Sequence, residues 1–195
     1  DFVLKFDNLS RLEAQAALKW DGTNFQTIEL QAKSHKVEVD SLSRIWHPSL
    51  ASETRQWLVD RLSGGKVEEG SLYLLLEQAR SKQMQLKSLE SVLQVKDSNI
   101  QFYKNLPPGN EVDAIVKIIP DQVEIKLSRG RVGQLQLNHG KLLFAHLRTV
   151  NPRASIYLKG SGPMAEALDL LEHPDLAILK QEMLPFTESS GDVDL

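Results

Sequence analysis

Between Leu12 and Trp20 the chain alternates: Leu12, Ala14, Ala16, Leu18 and Trp20 fall two apart, with Glu13, Gln15 and Lys19 between most of them. A period of two is that of a strand with one dry and one wet face, because successive Cβ atoms leave the pleat on opposite sides. Asp21-Gly22-Thr23-Asn24 then supplies turn chemistry, and the alternation resumes over 25–32 and 36–39. Residues 1–50 therefore read as antiparallel strands in a meander.

At Ser52 the period changes. Ser52-Glu53-Thr54-Arg55 has the form of a helix start, Trp57, Leu58 and Leu62 recur at helical spacing, and Gly64-Gly65 is a C-terminal stop. This predicts a short amphipathic helix near 52–62, within a segment 51–65. Strand signals return over 66–160, at 67–76, 83–89, 92–103, 112–119, 122–127, 131–137, 141–147 and 154–158. Gly70, residues 105–110, Pro120-Asp121, Arg129-Gly130 and Asn138-His139-Gly140 punctuate them. Val112, Ala114, Val116 and Ile118 face Val123, Ile125 and Leu127 across a Pro-Asp turn, the pattern of a hairpin. After Gly160-Ser161-Gly162-Pro163, the residues Met164, Ala167, Leu168, Leu170 and Leu171 predict a second helix ended by His173-Pro174, within a C-terminal helix and extension at 161–186. Residues 187–195 are small, polar and acidic, as in a flexible tail. The whole predicts a mainly β (α+β) chain: a curved antiparallel β-sheet or groove carrying two short helices.

Charge narrows the partners. The 23 basic and 26 acidic side chains are mixed along 195 residues with a net charge of −3, which argues against a general electrostatic hold on nucleic acid, since that needs clustered Lys and Arg. The absence of cysteine removes disulfides, thiolate metal sites and cysteine nucleophiles together. The opening Asp-Phe-Val-Leu-Lys-Phe has neither an initiator Met nor a signal-like h-region, and no apolar run approaches about 18 residues. The expectation is an internal piece whose membrane anchor lies outside it.

Catalytic patterns are weak. His35, His47, His139, His146 and His173 stand far apart without metal-ligand spacing, so no metal site and no cofactor is expected. Gly130, Gly133 and Gly140 fit hairpin turns better than a phosphate loop, and Gly160-Ser161-Gly162-Pro163 fits a helix start better than a nucleophile elbow. Glu68-Glu69 would point to opposite faces of a strand and cannot converge on one bond. Arg129 and Arg131 have the fork geometry for a lipid phosphate, although an ordinary charged hairpin is the simpler account of two exposed arginines. Nothing here seeds an active site, and the expectation is a chain that is not an enzyme.

Trp46-His47-Pro48, then Arg55 with Trp57, then Gly64-Gly65-Lys66-Val67-Glu68 leading into Ser71-Leu72-Tyr73-Leu74 form a recognisable succession. With Ile100-Gln101-Phe102-Tyr103, Leu106-Pro107-Pro108 and Gly160-Ser161-Gly162-Pro163, it resembles the AsmA-like superfamily, in particular its large YhdP branch, over about 12–171. His47, between the Trp and the Pro, departs from the family pattern. On that resemblance Trp46, Pro48, Arg55, Trp57, Gly65, Pro107 and Pro108 are structural motif positions. It implies a periplasmic segment of an inner-membrane-anchored bacterial protein whose β-groove shields acyl chains as phospholipid moves toward the outer membrane. Phospholipid or another acyl lipid, and other envelope proteins, would be the partners.

The alternation bears on this separately. Many strands and two short helices leave more apolar sheet face than the helices can cover, and such a face needs a partner, a second layer or lipid. The candidate lining residues are Leu12, Ala14, Ala16, Leu18, Leu72, Leu74, Leu76, Val112, Ala114, Val116, Ile118, Val123, Ile125 and Leu127, with Arg129 and Arg131 as candidate headgroup contacts. The alternative is a closed β-sandwich serving as scaffold or interaction module in outer-membrane biogenesis, because an alternating strand looks the same whether its dry face meets side chains or lipid.

Overall fold

The structure is a computed structural model; it describes residues 2–5, 11–102, 105–174 and 192–194, the first and last of these segments as backbone only. The strands are β1 (Phe2–Lys5), β2 (Arg11–Trp20), β3 (Phe25–Glu38), β4 (Leu62–Ser63), β5 (Lys66–Gln78), β6 (Met84–Ile100), β7 (Gly109–Ile119), β8 (Gln122–Val132), β9 (Leu135–Ala145), β10 (Arg153–Pro163) and β11 (Asp192–Asp194). They form one 11-stranded sheet in the order β1-β2-β3-β5-β6-β7-β8-β9-β10-β11, with β4 pairing β6. Every pairing is antiparallel and the sheet is open. The mainly β antiparallel fold is the one the alternation predicts.

Among the described residues, three short helices accompany the sheet: α1 (Leu42–Ile45), which follows a 3-10 turn at Val39–Ser41, α2 (Ser52–Arg61) and α3 (Met164–Leu171). The first was not predicted. One turn of helix between a strand and Trp46 offers too few residues for a helical period to emerge. Asp192–Asp194, within the expected tail, pairs with Ser161–Pro163; the rest of 187–195 lies outside the described residues.

Register decides which side chains share a face. Directly opposed residues in an antiparallel pair point the same way, and the pairs Ala14↔Ala32, Ala32↔Leu72, Leu93↔Val116, Val116↔Ile125 and Ile125↔Leu142 carry one apolar face from β2 to β9. Side chains from 39–62 pack on it. Leu58 is buried among these strands, and the Trp57 ring lies 4.4 Å from that of Phe144 on β9. The Thr54 hydroxyl donates to the Pro120 carbonyl at 2.6 Å, while just past α2 Leu62 pairs with Ile100. The helix thus crosses the face from the β7–β8 turn toward the far end of β6.

A row of irregularities crosses the sheet. Lys36, Asp97 and Glu111 take φ near +50°, at 51, 52 and 52°, and the register shifts at Val67/Glu69, Val95/Ser98, Asn110/Asp113, Asp113/Ala114 and Lys159/Gly160. Each bulge adds a residue to one strand and bends it, and aligned bulges bend the sheet as a whole. The wet side of the bend is tied by charge: Asp113 accepts from Lys96 Nζ at 3.1 Å, from the Asp97 N–H at 3.1 Å and from Arg129 Nε at 3.2 Å, and Arg129 Nη2 also reaches Asp97 at 2.7 Å.

This row corrects several expected turns. Gly70, Gly130 and Gly140 lie within strands, and the turn between β8 and β9 is at Gly133-Gln134, with Gly133 at φ +56°. The expected strands at 122–127, 131–137 and 141–147 are therefore two long ones. The lapse in alternation at 128–130 and 138–140 is the bend itself, where neighbouring residues both face water.

Candidate functional site: an apolar cavity beneath the Trp46 strap

The cavity of interest forms where the chain leaves β3, makes α1 and turns back into α2. Arg55 fixes this strap from inside α2, donating from Nε to the Trp46 carbonyl at 2.8 Å and from Nη2 to the Ser43 carbonyl at 2.7 Å. The Trp46 indole N–H donates to the Leu50 carbonyl at 2.8 Å. Once those polar groups are satisfied, the indole body and Leu42, Ile45 and Leu50 are left facing the sheet.

Beneath the strap lies a cavity of about 380 Å³, walled by Leu12 and Ala14 of β2, Leu30 and Ala32 of β3, Leu72 and Leu74 of β5, and Leu89 and Leu93 of β6. The small Ala14 and Ala32, paired across β2 and β3, leave room that larger residues would fill. Polar neighbours are few: Lys33, Ser34, His47, Ser71 and Ser91, of which Ser91 is tied to the Ser71 carbonyl at 2.8 Å. A space of this size and lining lies within the roughly 300–1,000 Å³ typical of small-molecule sites.

The candidate lining residues divide into three groups. Leu12, Ala14, Leu72 and Leu74 line the cavity. Ala16 and Leu18, further along the same face of β2, are exposed, Leu18 by 57%, and Leu76 is half-buried at the end of β5. Val112, Ala114, Val116, Ile118, Val123, Ile125 and Leu127 are all buried in the core cluster that Leu58, Leu62 and Trp57 join. Sequence reasoning did not place Leu30, Ala32, Leu42, Leu50, Leu89 or Leu93 at the site. Leu30 and Ala32 carry the same alternation as Leu12 and Ala14, so their pairing was the missed signal.

Arg129 and Arg131 stand in the bend row rather than at the cavity. Arg129 pairs with Asp97 and Asp113, and Arg131 with Glu111 at 2.7 Å. Burial alone pushes the Asp113 carboxyl up, yet the Asp97 N–H, Lys96 and Arg129 outweigh it and hold the group below its ordinary value.

The other motif residues are structural in different ways. Trp57 packs on Phe144. Gly65, at φ +66°, turns so close to the Lys96 carbonyl that a Cβ would collide with it. Pro48 is exposed in the strap, and Pro107 and Pro108 are exposed in the β6–β7 loop, where Gln101 Nε2 donates to the Leu106 carbonyl at 2.6 Å.

Among the described residues, no helix is long and apolar enough to cross a membrane, and no group of three or more His, Asp or Glu converges as a metal site would. No family model, curated protein or solved structure matches the chain.

Proposed function

We propose that this chain is a non-enzymatic, periplasmic segment of an inner-membrane-anchored bacterial envelope protein, and that its apolar sheet face holds phospholipid acyl chains passing between inner and outer membrane. The observation that carries the reading is the cavity beneath the Trp46 strap, with Ala16 and Leu18 exposed further along the same face of β2. An acyl chain is long, narrow and without polar demands, so it matches a site walled by Leu and Ala. Burying its methylenes contributes about 0.8 kcal/mol each. The succession Trp46-His47-Pro48, Arg55, Trp57 and Gly64-Gly65 that resembles the AsmA-like superfamily supports the envelope setting.

In this reading the face is used unevenly. The part over β2, β3, β5 and β6 accepts lipid, while the part over β7–β9, sealed by α2, is the packed floor that keeps the sheet rigid.

Detergent-free purification of the chain from bacterial cells, organic extraction and mass spectrometry of the extract test this against Ala32→Leu, which fills the cavity. Phospholipid in the wild-type extract and severalfold less in an equally folded variant is the expected result. Equal lipid in both, or none above an unrelated β-protein, would leave the sheet as a scaffold.

A further inference from the structure

The turns at 21–24, 79–83, 120–121 and 146–152 all lie at one end of the sheet, because the strands reverse there in antiparallel order. Large apolar side chains stand out from this end into solvent: Trp20 is 63% exposed, Phe25 48% and Val150 96%. Nothing in the fold requires them there, since the core lies between the sheet and α2.

Both signs of charge stand at this end, in different settings. The Asp21 carboxylate is folded back onto the N–H groups of Thr23 and Asn24, both at 2.9 Å, and the Asp121 carboxylate accepts from the Arg148 N–H at 2.8 Å. Arg80, Lys82 and Arg153 are exposed in or beside the turns, and among the described residues none of them pairs with a carboxylate. The chain as a whole is acidic, at −3, so unpaired cations gathered at one end are a local feature and not a consequence of composition.

Exposed Trp and Phe beside unpaired Arg and Lys match the boundary layer of a bilayer, where an amphipathic ring sits at headgroup depth and cations meet phosphate. Trp20 and Phe25 oppose each other at the tip of the β2–β3 hairpin, while Val150 stands on the β9–β10 turn across the sheet, and this spread suits a broad headgroup surface better than a pocketed protein partner. We propose that this end of the sheet docks on a bilayer rich in anionic phospholipid, with Trp20, Phe25 and Val150 entering the headgroup layer and Arg80, Lys82 and Arg153 facing lipid phosphates. Docking goes beyond the cavity reading and stands whether or not the cavity holds an acyl chain.

The test is cosedimentation of the chain with vesicles of phosphatidylcholine and phosphatidylglycerol in equal parts, against phosphatidylcholine alone. Binding is expected only to the anionic vesicles and falls in about 0.5 M salt, where the Debye length shortens to a few Å. Arg80→Gln with Lys82→Gln weakens the partition by roughly 25-fold, at about fivefold for each cation near an anionic surface. Trp20→Ser with Phe25→Ser, both in exposed positions, abolishes most of the remainder, while Ala32→Leu leaves docking unchanged and so separates it from cavity occupancy. In the wild-type chain, brominated lipid quenches Trp20 emission, and Trp20→Phe removes that quenching. Equal binding to both vesicle types, no binding to either, quenching that persists in Trp20→Phe, or salt-sensitive end-to-end oligomers without vesicle binding would each overturn the proposal.

Discussion

Asp113→Asn probes the row of bulges that crosses the sheet. The Asp113 side chain is 11% exposed and accepts from a backbone N–H, a lysine and an arginine in the bulge row. Its ion-pair partners are far more open, Lys96 at 44% and Arg129 at 58%, so solvent screens them and they add little. The bond from the Asp97 N–H is charge-assisted, worth about 1.5–3 kcal/mol, and falls to about half when the acceptor is a neutral amide. The substitution costs about 1 kcal/mol at neutral pH, mostly through that bond. Because the folded carboxyl titrates below its unfolded value, its stabilisation is present above the unfolded Asp pKa of about 3.9 and is lost as pH falls through the folded value. Urea denaturation followed by tryptophan emission, run on both proteins from about pH 7 to pH 3, should show the gap closing in acid. A variant as stable as wild type at pH 7, or a gap that persists unchanged in acid, would refute the reasoning.

Other substitutions test the remaining parts of the account. Leu58→Ala, at a side chain only 1% exposed where α2 meets the sheet, should cost about 3 kcal/mol in denaturant titrations; a loss under 1 kcal/mol would mean that α2 does not seal β7–β9. Gly65→Ala forces a Cβ toward the Lys96 carbonyl at φ +66° and should lower stability by more than about 1 kcal/mol, with no loss expected if the turn is free to move. Arg55→Lys, which cannot span the Trp46 and Ser43 carbonyls with one fork, should speed amide exchange at Trp46 and Leu50 while strand amides stay protected; uniform exchange would count against the strap.

Much of the fold is legible in the sequence because alternation survives wherever one face is dry. β2, β7 and the start of β8 could be read almost residue by residue. The bend was not legible: Ser128-Arg129 and Asn138-His139 both face water, and two polar residues in a row look like a turn unless the partner strands are known to bulge beside them. Nor could periodicity separate the cavity from the floor. Leu72 and Val116 occupy the same face in equally regular strands, but one lies below the strap and the other below α2, a difference set by where 39–62 crosses the sheet. The cavity also depends on smallness at Ala14 and Ala32, and a small residue in a strand carries no sign of what space it leaves. The exposed Trp20 and Phe25 were read simply as strand positions flanking a turn, because exposure at a hairpin tip follows from the strand order.

Photo-crosslinking in living bacterial cells bears most directly on the central claim. A photoreactive amino acid at Leu72, in the cavity wall, is compared with one at Ile115, which is 49% exposed on the opposite face of β7, and adducts are identified by mass spectrometry. A phospholipid adduct at Leu72 and none at Ile115 is the predicted result; lipid at neither position, or at both alike, would contradict an acyl-chain site beneath the Trp46 strap.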